Sequence, residues 1–277
     1  EKLIRNMLAG TTAIDFALLV IAADDGPMPQ TREHLELLDL LGMTQGAVAL
    51  TKVDTVSPER LGQAHQQVTE LLAGTGLAGS PVFPLSGRTG EGVAALRSHL
   101  ETSAATFSRP PSGGRFRLAI DRSFSLKGVG TVATGTAHAG SIAVGDTAVI
   151  SPPGLKARVR GLHVQDHPAE IGRAGERCAL ALKGDFEKKD VARGMWLVDP
   201  ALAIPISRFH GELHVPASQK PLKHMQTVHV HLGTDDIPGR VALLDIRKVN
   251  AGGSALVEIL LERDTLALRG DRFILRD

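Results

Sequence analysis

Apolar residues follow one pattern up to about residue 106 and a different pattern after it. In the first part, continuous apolar runs at residues 16–23 and 47–50 are typical of strands buried on both faces of a parallel sheet. Between them, residues 31–41 carry leucines three positions apart, which predicts a helix with one buried side. Because strands alternate with helices, the pattern predicts an α/β domain with a doubly wound sheet.

The rest of this region continues the alternation. Ser57 and Pro58 predict the start of a second helix, because serine caps helix ends and proline suits the first helical position. The predicted buried stripe of this helix consists of Leu61, Ala64, Val68, Leu71 and Leu72. A strand at residues 81–85 and a helix at 92–100 follow, and we assign residues 1–106 to one domain.

From residue 107 the apolar residues recur with a period of two, which predicts β-strands. Residues 107–113 are rich in proline, glycine and serine, so we expect a linker there. In residues 115–121, the apolar side chains share one face of a strand, and Arg115, Arg117 and Asp121 share the other.

Further short strands continue to the last residue of the chain, separated by glycine and proline. They are predicted at residues 128–135, 147–150, 156–165, 177–183, 210–215, 227–232, 240–244, 254–261 and 272–275. This spacing favours a barrel or a sandwich in each of two small domains, residues 114–204 and 205–277, so that the fold class is α/β plus all-β.

Composition limits the class of protein. A hydrophobic content of 43% and a charged content of 22% are typical of soluble globular proteins. No apolar run reaches the roughly 18 residues of a membrane span, so we expect no membrane partner. Cys178 is the only cysteine, which excludes an internal disulfide, indicates a reducing compartment and predicts a cytoplasmic location. We expect its thiol to be buried, and the net charge of +1 neither requires nor excludes a nucleic-acid partner.

Two loops with candidate chemistry follow predicted strands, at the sheet edge where open α/β folds bind ligands. In the first, the Asp54 carboxylate can accept two N–H bonds from the edge of guanine, while the stem of Lys52 lies along the base. In the second, residues 86–92, small residues allow backbone N–H groups to approach the base carbonyl. Each loop alone also fits a solvated turn, but their order on successive strands predicts guanine recognition. The candidate residues are Thr51, Lys52, Asp54, Ser86, Gly87 and Arg88.

These loops, together with four further segments, resemble the translational GTPases. Residues 24–34 (Asp-Asp-Gly-Pro-Met-Pro-Gln-Thr-Arg-Glu-His) are nearly identical to elongation factor Tu, and residues 1–10 resemble the helix after the family's Asp-x-x-Gly-His motif. Residues 128–135 match the signature of the family's second domain, and residues 270–277 match the closing strand of its third. The resemblance implies part of a P-loop GTPase domain followed by two β-barrels.

Within that family, the chain is most similar to the selenocysteine-specific elongation factors. Thr51 stands where other members have asparagine, and the segments 116–122, 124–128, 228–232 and 239–244 match this branch. The resemblance implies an aminoacyl pocket on the second domain, formed by Asp121, Arg122 and Arg177. Because a selenol is largely anionic near neutral pH, guanidinium groups can favour selenocysteine over serine, with Asp121 orienting them or the α-amino group. The same three residues also fit a solvated barrel face.

The resemblance also implies what the full-length protein does. It implies GTP-dependent delivery of selenocysteinyl-tRNA to the ribosome, with GTP or GDP and Mg²⁺ as cofactors and a selenoprotein mRNA element as a further partner. The family's phosphate loop, first switch and Asp-x-x-Gly-His motif lie upstream of Glu1, and the mRNA-reading region of bacterial members lies beyond Asp277. We therefore expect this chain alone to have no catalytic residue, to bind nucleotide weakly and not to hydrolyse GTP. We also expect the protein to be a monomer.

Other interpretations stay open at this point. The chain also fits a general aminoacyl-tRNA elongation factor, the GTPase subunit of a sulfate-activating enzyme, or a nucleotide-free RNA-binding scaffold. His229 and His231 share a strand face, but no third ligand is evident, so we expect outward-facing side chains and no metal site. Lys156, Arg158 and Arg160 share another face, which fits either tRNA phosphates or a charged outer surface.

Overall fold

Helices alternate with strands in residues 14–107 and strands predominate in residues 114–276, the two ranges that the computed structural model describes. These ranges belong to two separate compact units. The helix predicted at residues 1–10 and positions 108–113 of the predicted linker lie outside the described residues.

The first unit contains a parallel sheet of three strands with the order β1-β2-β3. Its elements, in chain order, are β1 (Ala17–Ala22), α1 (Pro29–Leu40), β2 (Gly46–Thr51), α2 (Pro58–Leu72), β3 (Val82–Pro84) and α3 (Val93–Thr106). This confirms the predicted alternation. Ser57 caps α2 as predicted, since its side chain accepts a hydrogen bond from the amide of Arg60. The buried residues of α2 are Ala64, Val68 and Leu72, whereas Leu61 and Leu71 of the predicted stripe are only half-buried.

The predicted burial of β1 on both faces is wrong for one face. Leu18 is 40% exposed and Val20 is 66% exposed, although Leu19 and Ile21 are buried. Within the described residues, β1 lies at the edge of the sheet and pairs with β2 alone. An edge strand has fewer neighbours to cover it, which accounts for the difference from the fully buried centre of β2.

The second unit begins with a closed barrel, which we call the first barrel. Its strands follow the order β11-β5-β4-β12-β7-β8, and β8 pairs with β11 to close the ring. The strands are β4 (Arg117–Leu126), β5 (Gly130–Ala139), β6 (Ser141–Ala143), β7 (Thr147–Ser151), β8 (Leu155–Val164), β9 (His167–Pro168), β10 (Ile171–Arg173), β11 (Arg177–Lys183) and β12 (Trp196–Val198). Cys178 lies in the core of this barrel as predicted, and burial raises the pKa of its thiol to about 11. Lys156, Arg158 and Arg160 are exposed on β8.

A second, partly open barrel follows. It consists of a five-stranded sheet with the order β13-β18-β16-β15-β19 and the ribbon β14-β17. Its strands are β13 (Ile206–His214), β14 (Leu222–Lys223), β15 (Gln226–Leu232), β16 (Asp235–Leu243), β17 (Lys248–Val249), β18 (Ser254–Thr265) and β19 (Phe273–Arg276). Val230, Val241 and Ile259 form the centre of its core. β16 begins earlier and β18 ends later than predicted.

The two barrels share a small apolar cluster that includes Trp196 of the first barrel and Leu266 of the second. This cluster changes the environment of Arg117, which lies opposite the barrel core as predicted but is only 7% exposed. Its guanidinium lies 4.7 Å from the centre of the Trp196 ring and pairs with Asp271 of the second barrel. The second barrel therefore covers a face that the sequence alone leaves open to solvent.

His229 and His231 differ in exposure. The side chain of His229 is 47% exposed and its Nδ1 lies 2.7 Å from the Asp236 carboxylate. His231 is only 7% exposed, so the prediction that it faces outward is wrong. β15 lies inside its sheet, between β16 and β19, and its end approaches the first barrel, where Gly233 abuts Trp196. None of the helices in residues 14–107 and 114–276 is long and apolar enough to cross a membrane.

Candidate guanine and aminoacyl sites

The two candidate guanine loops meet at the ends of β2 and β3. The amide of Val53 donates a hydrogen bond of 3.4 Å to the carbonyl of Leu85, and the Thr51 hydroxyl donates one of 3.3 Å to the carbonyl of Ile21. Between them, Lys52 has a φ of 61°, in the left-handed region that non-glycine residues rarely adopt. Such strain often marks a functional position, and here it turns the chain so that Asp54 faces the second loop.

Asp54 is a largely buried acceptor at this junction. Its side chain is 11% exposed and accepts a hydrogen bond of 2.8 Å from Nε of Arg88. Hydrogen bonds from Ser86 and Arg88 lower the pKa of Asp54 below its ordinary value. The carboxylate is therefore anionic at neutral pH, as it must be to accept two N–H bonds.

Ser86 and Gly87 shape the second loop. Ser86 is fully buried, and its hydroxyl accepts hydrogen bonds from the amides of Arg88 at 3.2 Å and Thr89 at 3.1 Å. The amide of Gly90 also bonds to the Ser86 carbonyl at 2.9 Å, which makes a tight turn. A Cβ atom at Gly87 would have no neighbour within 4 Å, so space is open beside the backbone of this loop.

Lys52 is held by a residue to which sequence reasoning gave no role. Its Nζ atom lies 2.8 Å from Oδ2 of Asp24 and 3.9 Å from Asp25. The hydrogen bond to Asp24 raises the pKa of Lys52, so the ammonium group stays charged. Arg60 in turn donates to the carbonyl of Asp24. The sequence did point to this residue, because Asp24 is the first residue of the segment 24–34 that resembles the translational GTPases.

The candidate aminoacyl residues lie on the first barrel around a β-bulge in β4. Ile120 pairs with Gly135 and Arg122 pairs with Thr134, so Asp121 is the extra residue of the bulge. Paired residues of antiparallel strands project to the same side of a sheet. Arg122 and Thr134 therefore share the face opposite the barrel core, and the bulge adds Asp121 to that same face.

Asp121 is the centre of this group. It accepts a hydrogen bond of 2.7 Å from the Thr134 hydroxyl and is held by both terminal nitrogens of Arg177 on β11. Partial burial acts to raise the pKa of Asp121, but the hydrogen bonds from Arg177 and Thr134 outweigh it and the pKa is lowered. The same pairing raises the pKa of Arg177. Thr134 was missed by sequence reasoning, although it lies within the quoted segment 128–135.

Arg122 is exposed and differs from Arg177 in its partners. Within residues 14–107 and 114–276, no hydrogen bond or ion pair engages the Arg122 guanidinium. Arg122 and Arg177 both act on the Asp121 carboxylate and Asp166 also acts on Arg177, so Arg122 is the guanidinium of this face that a ligand can approach. An arrangement of this kind can attract an anionic group on a ligand and align it by charge-assisted hydrogen bonds. No cluster of metal-ligating side chains occurs in the part of the chain that the structure describes.

Known protein families match successive parts of the chain. They are the elongation factor Tu GTP-binding domain at residues 1–106, elongation factor Tu domain 2 at residues 130–198, and the β-barrel domain of selenocysteine-specific elongation factors at residues 211–277.

Three similar curated proteins are selenocysteine-specific elongation factors. Selenocysteine-specific elongation factors from Desulfomicrobium baculatum and Escherichia coli are 41% and 40% identical over 277 residues, which is 100% of this chain and 44% and 43% of theirs. The one from Methanocaldococcus jannaschii is 31% identical over 90% of this chain and 54% of its own length. The chain therefore spans about half the length of the curated relatives it matches, or less.

Solved structures agree in fold. A bacterial selenocysteine-specific elongation factor superposes with a TM-score of 0.86 at 26% identity, covering 100% of this chain and 45% of the other. Translation elongation factor SelB from Methanococcus maripaludis, in complex with the GTP analogue GppNHp, gives a TM-score of 0.87 at 26% identity, covering 99% of this chain and 64% of the other.

Proposed function

Since the chain belongs to the selenocysteine-specific elongation factors, a branch of the translational GTPases, we propose that it recognises guanine nucleotide and selenocysteinyl-tRNA within a factor that delivers this tRNA to the ribosome. The observation that carries the proposal is the shared outer face of Asp121, Arg122 and Arg177 on the first barrel. The chemistry of this candidate site separates selenocysteine from serine.

The argument for the pocket rests on charge. A selenolate is anionic near neutral pH and a serine hydroxyl is neutral, so a guanidinium distinguishes the two side chains. Asp121 holds Arg177 through both of its terminal nitrogens, which fixes the plane of that guanidinium. Arg122 is exposed on the same face and its guanidinium makes no hydrogen bond among the described residues. We assign Arg177 to orientation and Arg122 to direct attraction of the selenolate.

The anionic, largely buried carboxylate of Asp54 supports guanine recognition. In the proposed site this carboxylate accepts two N–H hydrogen bonds from the edge of guanine. The stem of Lys52 lies along the base, and Ser86 and Gly87 bring backbone amides to the base carbonyl. GTP supplies the γ-phosphate whose hydrolysis releases the tRNA, with Mg²⁺ as its counter-ion. The 277 residues contain no G-x-x-x-x-G-K-[ST] sequence, so we propose that this chain by itself does not hydrolyse GTP.

The remaining partners follow from the same proposal. The full-length protein acts as a monomer in the cytoplasm, binds the ribosome and reads a selenoprotein mRNA element through a region outside this chain. The proposed domains are residues 1–106, 114–204 and 205–277, with a linker at 107–113.

The test uses the full-length protein loaded with a non-hydrolysable GTP analogue and one selenocysteine tRNA body, charged with either selenocysteine or serine. We expect tighter binding of the selenocysteine form, and loss of that preference in Arg177→Ala and Arg122→Ala. The matched control is Arg158→Ala, which removes an exposed arginine from another strand of the same barrel and should keep the preference.

Other results would contradict the proposal in different ways. Equal binding of both charged forms would mean that the tRNA body is recognised, and the pocket assignment would fall. Binding of every aminoacyl-tRNA would indicate a general elongation factor. No binding of either form would favour a sulfate-activation subunit or an RNA-binding scaffold.

A further inference from the structure

A hairpin of the second barrel reaches the bulge that carries the proposed aminoacyl pocket. The hairpin joins β15 to β16, and its Thr234 is only 6% exposed. The hydroxyl of Thr234 donates a hydrogen bond of 2.7 Å to the carbonyl of Ile120. Ile120 directly precedes Asp121, so this bond holds the peptide from which the bulge starts.

The same carbonyl has a second donor. The amide of Gly194 lies 3.1 Å from the Ile120 oxygen and 3.3 Å from the Thr234 hydroxyl oxygen. The carbonyl of Thr234 in turn accepts a hydrogen bond of 3.2 Å from Nε of Arg193. Strand β4, the loop at residues 193–195 and the hairpin therefore form one closed hydrogen-bond network.

The hairpin has little freedom to move away from this network. A Cβ atom on Gly233 would lie 2.6 Å from a carbon of the Trp196 ring, and one on Gly194 would lie 2.4 Å from the Asp235 carboxylate. Asp235 is itself buried and held by both terminal nitrogens of Arg263. The residues on both sides of Thr234 are closely packed against the first barrel. This packing fixes the position from which the Thr234 hydroxyl donates to the Ile120 carbonyl.

A bulge residue depends more than its neighbours on such support. Asp121 is the extra residue of the bulge and has no partner opposite it in β5, so the regular ladder does not fix its direction. The carbonyl that precedes it is instead fixed by Thr234 and Gly194. Rotation of that peptide would turn Asp121 and Arg122 away from Arg177.

We propose that Thr234 is a positioning residue for aminoacyl selectivity, through which the second barrel sets the direction of Asp121 and Arg122 on the first. The inference rests on the proposed pocket. It assigns the second barrel a part in discriminating the amino acid, at a position that does not itself touch the ligand.

The experiment compares Thr234→Val, Thr234→Ser and Arg177→Ala in the full-length protein with the GTP analogue. Valine keeps the shape of threonine and removes the donor, whereas serine keeps the donor. We measure the ratio of affinities for the selenocysteine and serine forms of one tRNA body. Loss of one hydrogen bond corresponds to a decrease of roughly 3- to 10-fold in this ratio for Thr234→Val, with recovery in Thr234→Ser.

A second measurement guards against a variant that is merely unstable. Hydrogen exchange at the amides of residues 120–122 should quicken in Thr234→Val and not in Thr234→Ser, and it requires no tRNA. If Arg177→Ala loses the preference and Thr234→Val keeps it, the inference is overturned and the pocket stands. If Thr234→Val weakens both charged forms equally, its role is structural and the inference is also overturned. If Arg177→Ala keeps the preference, the pocket itself falls.

Discussion

Nε of Arg88 lies 2.8 Å from Oδ2 of Asp54, on the carboxylate that we propose as the acceptor for guanine. The two side chains differ sharply in exposure, at 77% for Arg88 and 11% for Asp54. A guanidinium and the guanine edge both present neighbouring N–H donors, so Arg88 satisfies the carboxylate in the manner of the base. Because an exposed arginine contributes little to such a pair, the base can replace it at small cost.

The first prediction concerns Asp54→Asn in the full-length protein. An amide nitrogen in place of one carboxylate oxygen removes an acceptor, so GDP affinity should fall roughly 10- to 100-fold. Xanthosine diphosphate, which has a carbonyl where guanosine has an amino group, should gain affinity. Calorimetric titration of both nucleotides tests this, with Glu33→Gln as an exposed control. Unchanged GDP binding would remove Asp54 from the site.

The second prediction concerns pH and Asp121. The pKa of Asp121 in the folded protein lies below its ordinary value of 3.8, so its ion pair adds stability above that value and loses it as the pH falls through the folded pKa. Asp121→Asn should therefore lower the free energy of unfolding by about 1 kcal/mol at pH 7, a small value because Arg177 is half exposed. The difference from wild type should decrease progressively as the pH falls below 3.8. Urea unfolding between pH 7 and 2.5 tests this, and a pH-independent difference would contradict it.

The third prediction concerns the contact of Gly233 with Trp196. In Gly233→Ala the new Cβ would lie 2.6 Å from the Trp196 ring, and the overlap should cost about 1 to 3 kcal/mol. Gly252→Ala is the matched control, since Gly252 also has a positive φ but its Cβ would meet nothing within 4 Å. Because Trp196 is the only tryptophan, its fluorescence during urea unfolding reports both variants. Equal destabilisation would show that backbone strain alone matters.

The fourth prediction concerns the buried ion pair between the barrels. Asp271→Asn leaves the Arg117 guanidinium, whose side chain is 8% exposed, without its counter-charge. We expect a loss of about 3 kcal/mol in the free energy of unfolding. The double variant Arg117→Met/Asp271→Asn should recover part of that loss, because methionine can pack against Trp196 without a charge. A double variant less stable than Asp271→Asn would show that the stacking of Arg117 on Trp196 outweighs the ion pair.

Local patterns predicted most of the elements, because helical and strand periodicity depend on neighbours in sequence. Ser57 capping α2, and Cys178 in the core of the first barrel, are effects of this kind. Local patterns could not predict the burial of side chains that are covered by a different sheet, because that contact depends on residues distant in sequence. Arg117 alternates with apolar neighbours as an exposed residue does, but it is buried where it pairs with Asp271 of the second barrel.

The candidate site shows the same division. The order of the two loops predicted guanine recognition at one edge of the sheet, and the structure brings the loops together there, with Ser86 hydrogen-bonded to Asp54. The bulge at Asp121 has no comparable signal, since a shift of register depends on which residues of β5 lie opposite. The contact of Thr234 with Ile120 could not be predicted from local patterns, because the two residues lie 114 positions apart in sequence.

Cys178 follows Arg177 directly on β11, but its thiol lies on the opposite side of the strand, inside the barrel. A selenol and a thiol join through a selenium–sulfur bond only when an oxidant removes two electrons, and the sulfur reacts in its thiolate form. The thiol of Cys178 is buried in the barrel core, and its raised pKa of about 11 keeps it protonated at neutral pH. If the first barrel holds selenocysteine on its outer face, as we propose, the neighbouring cysteine has no exposed thiolate with which an oxidant could link it to the selenium.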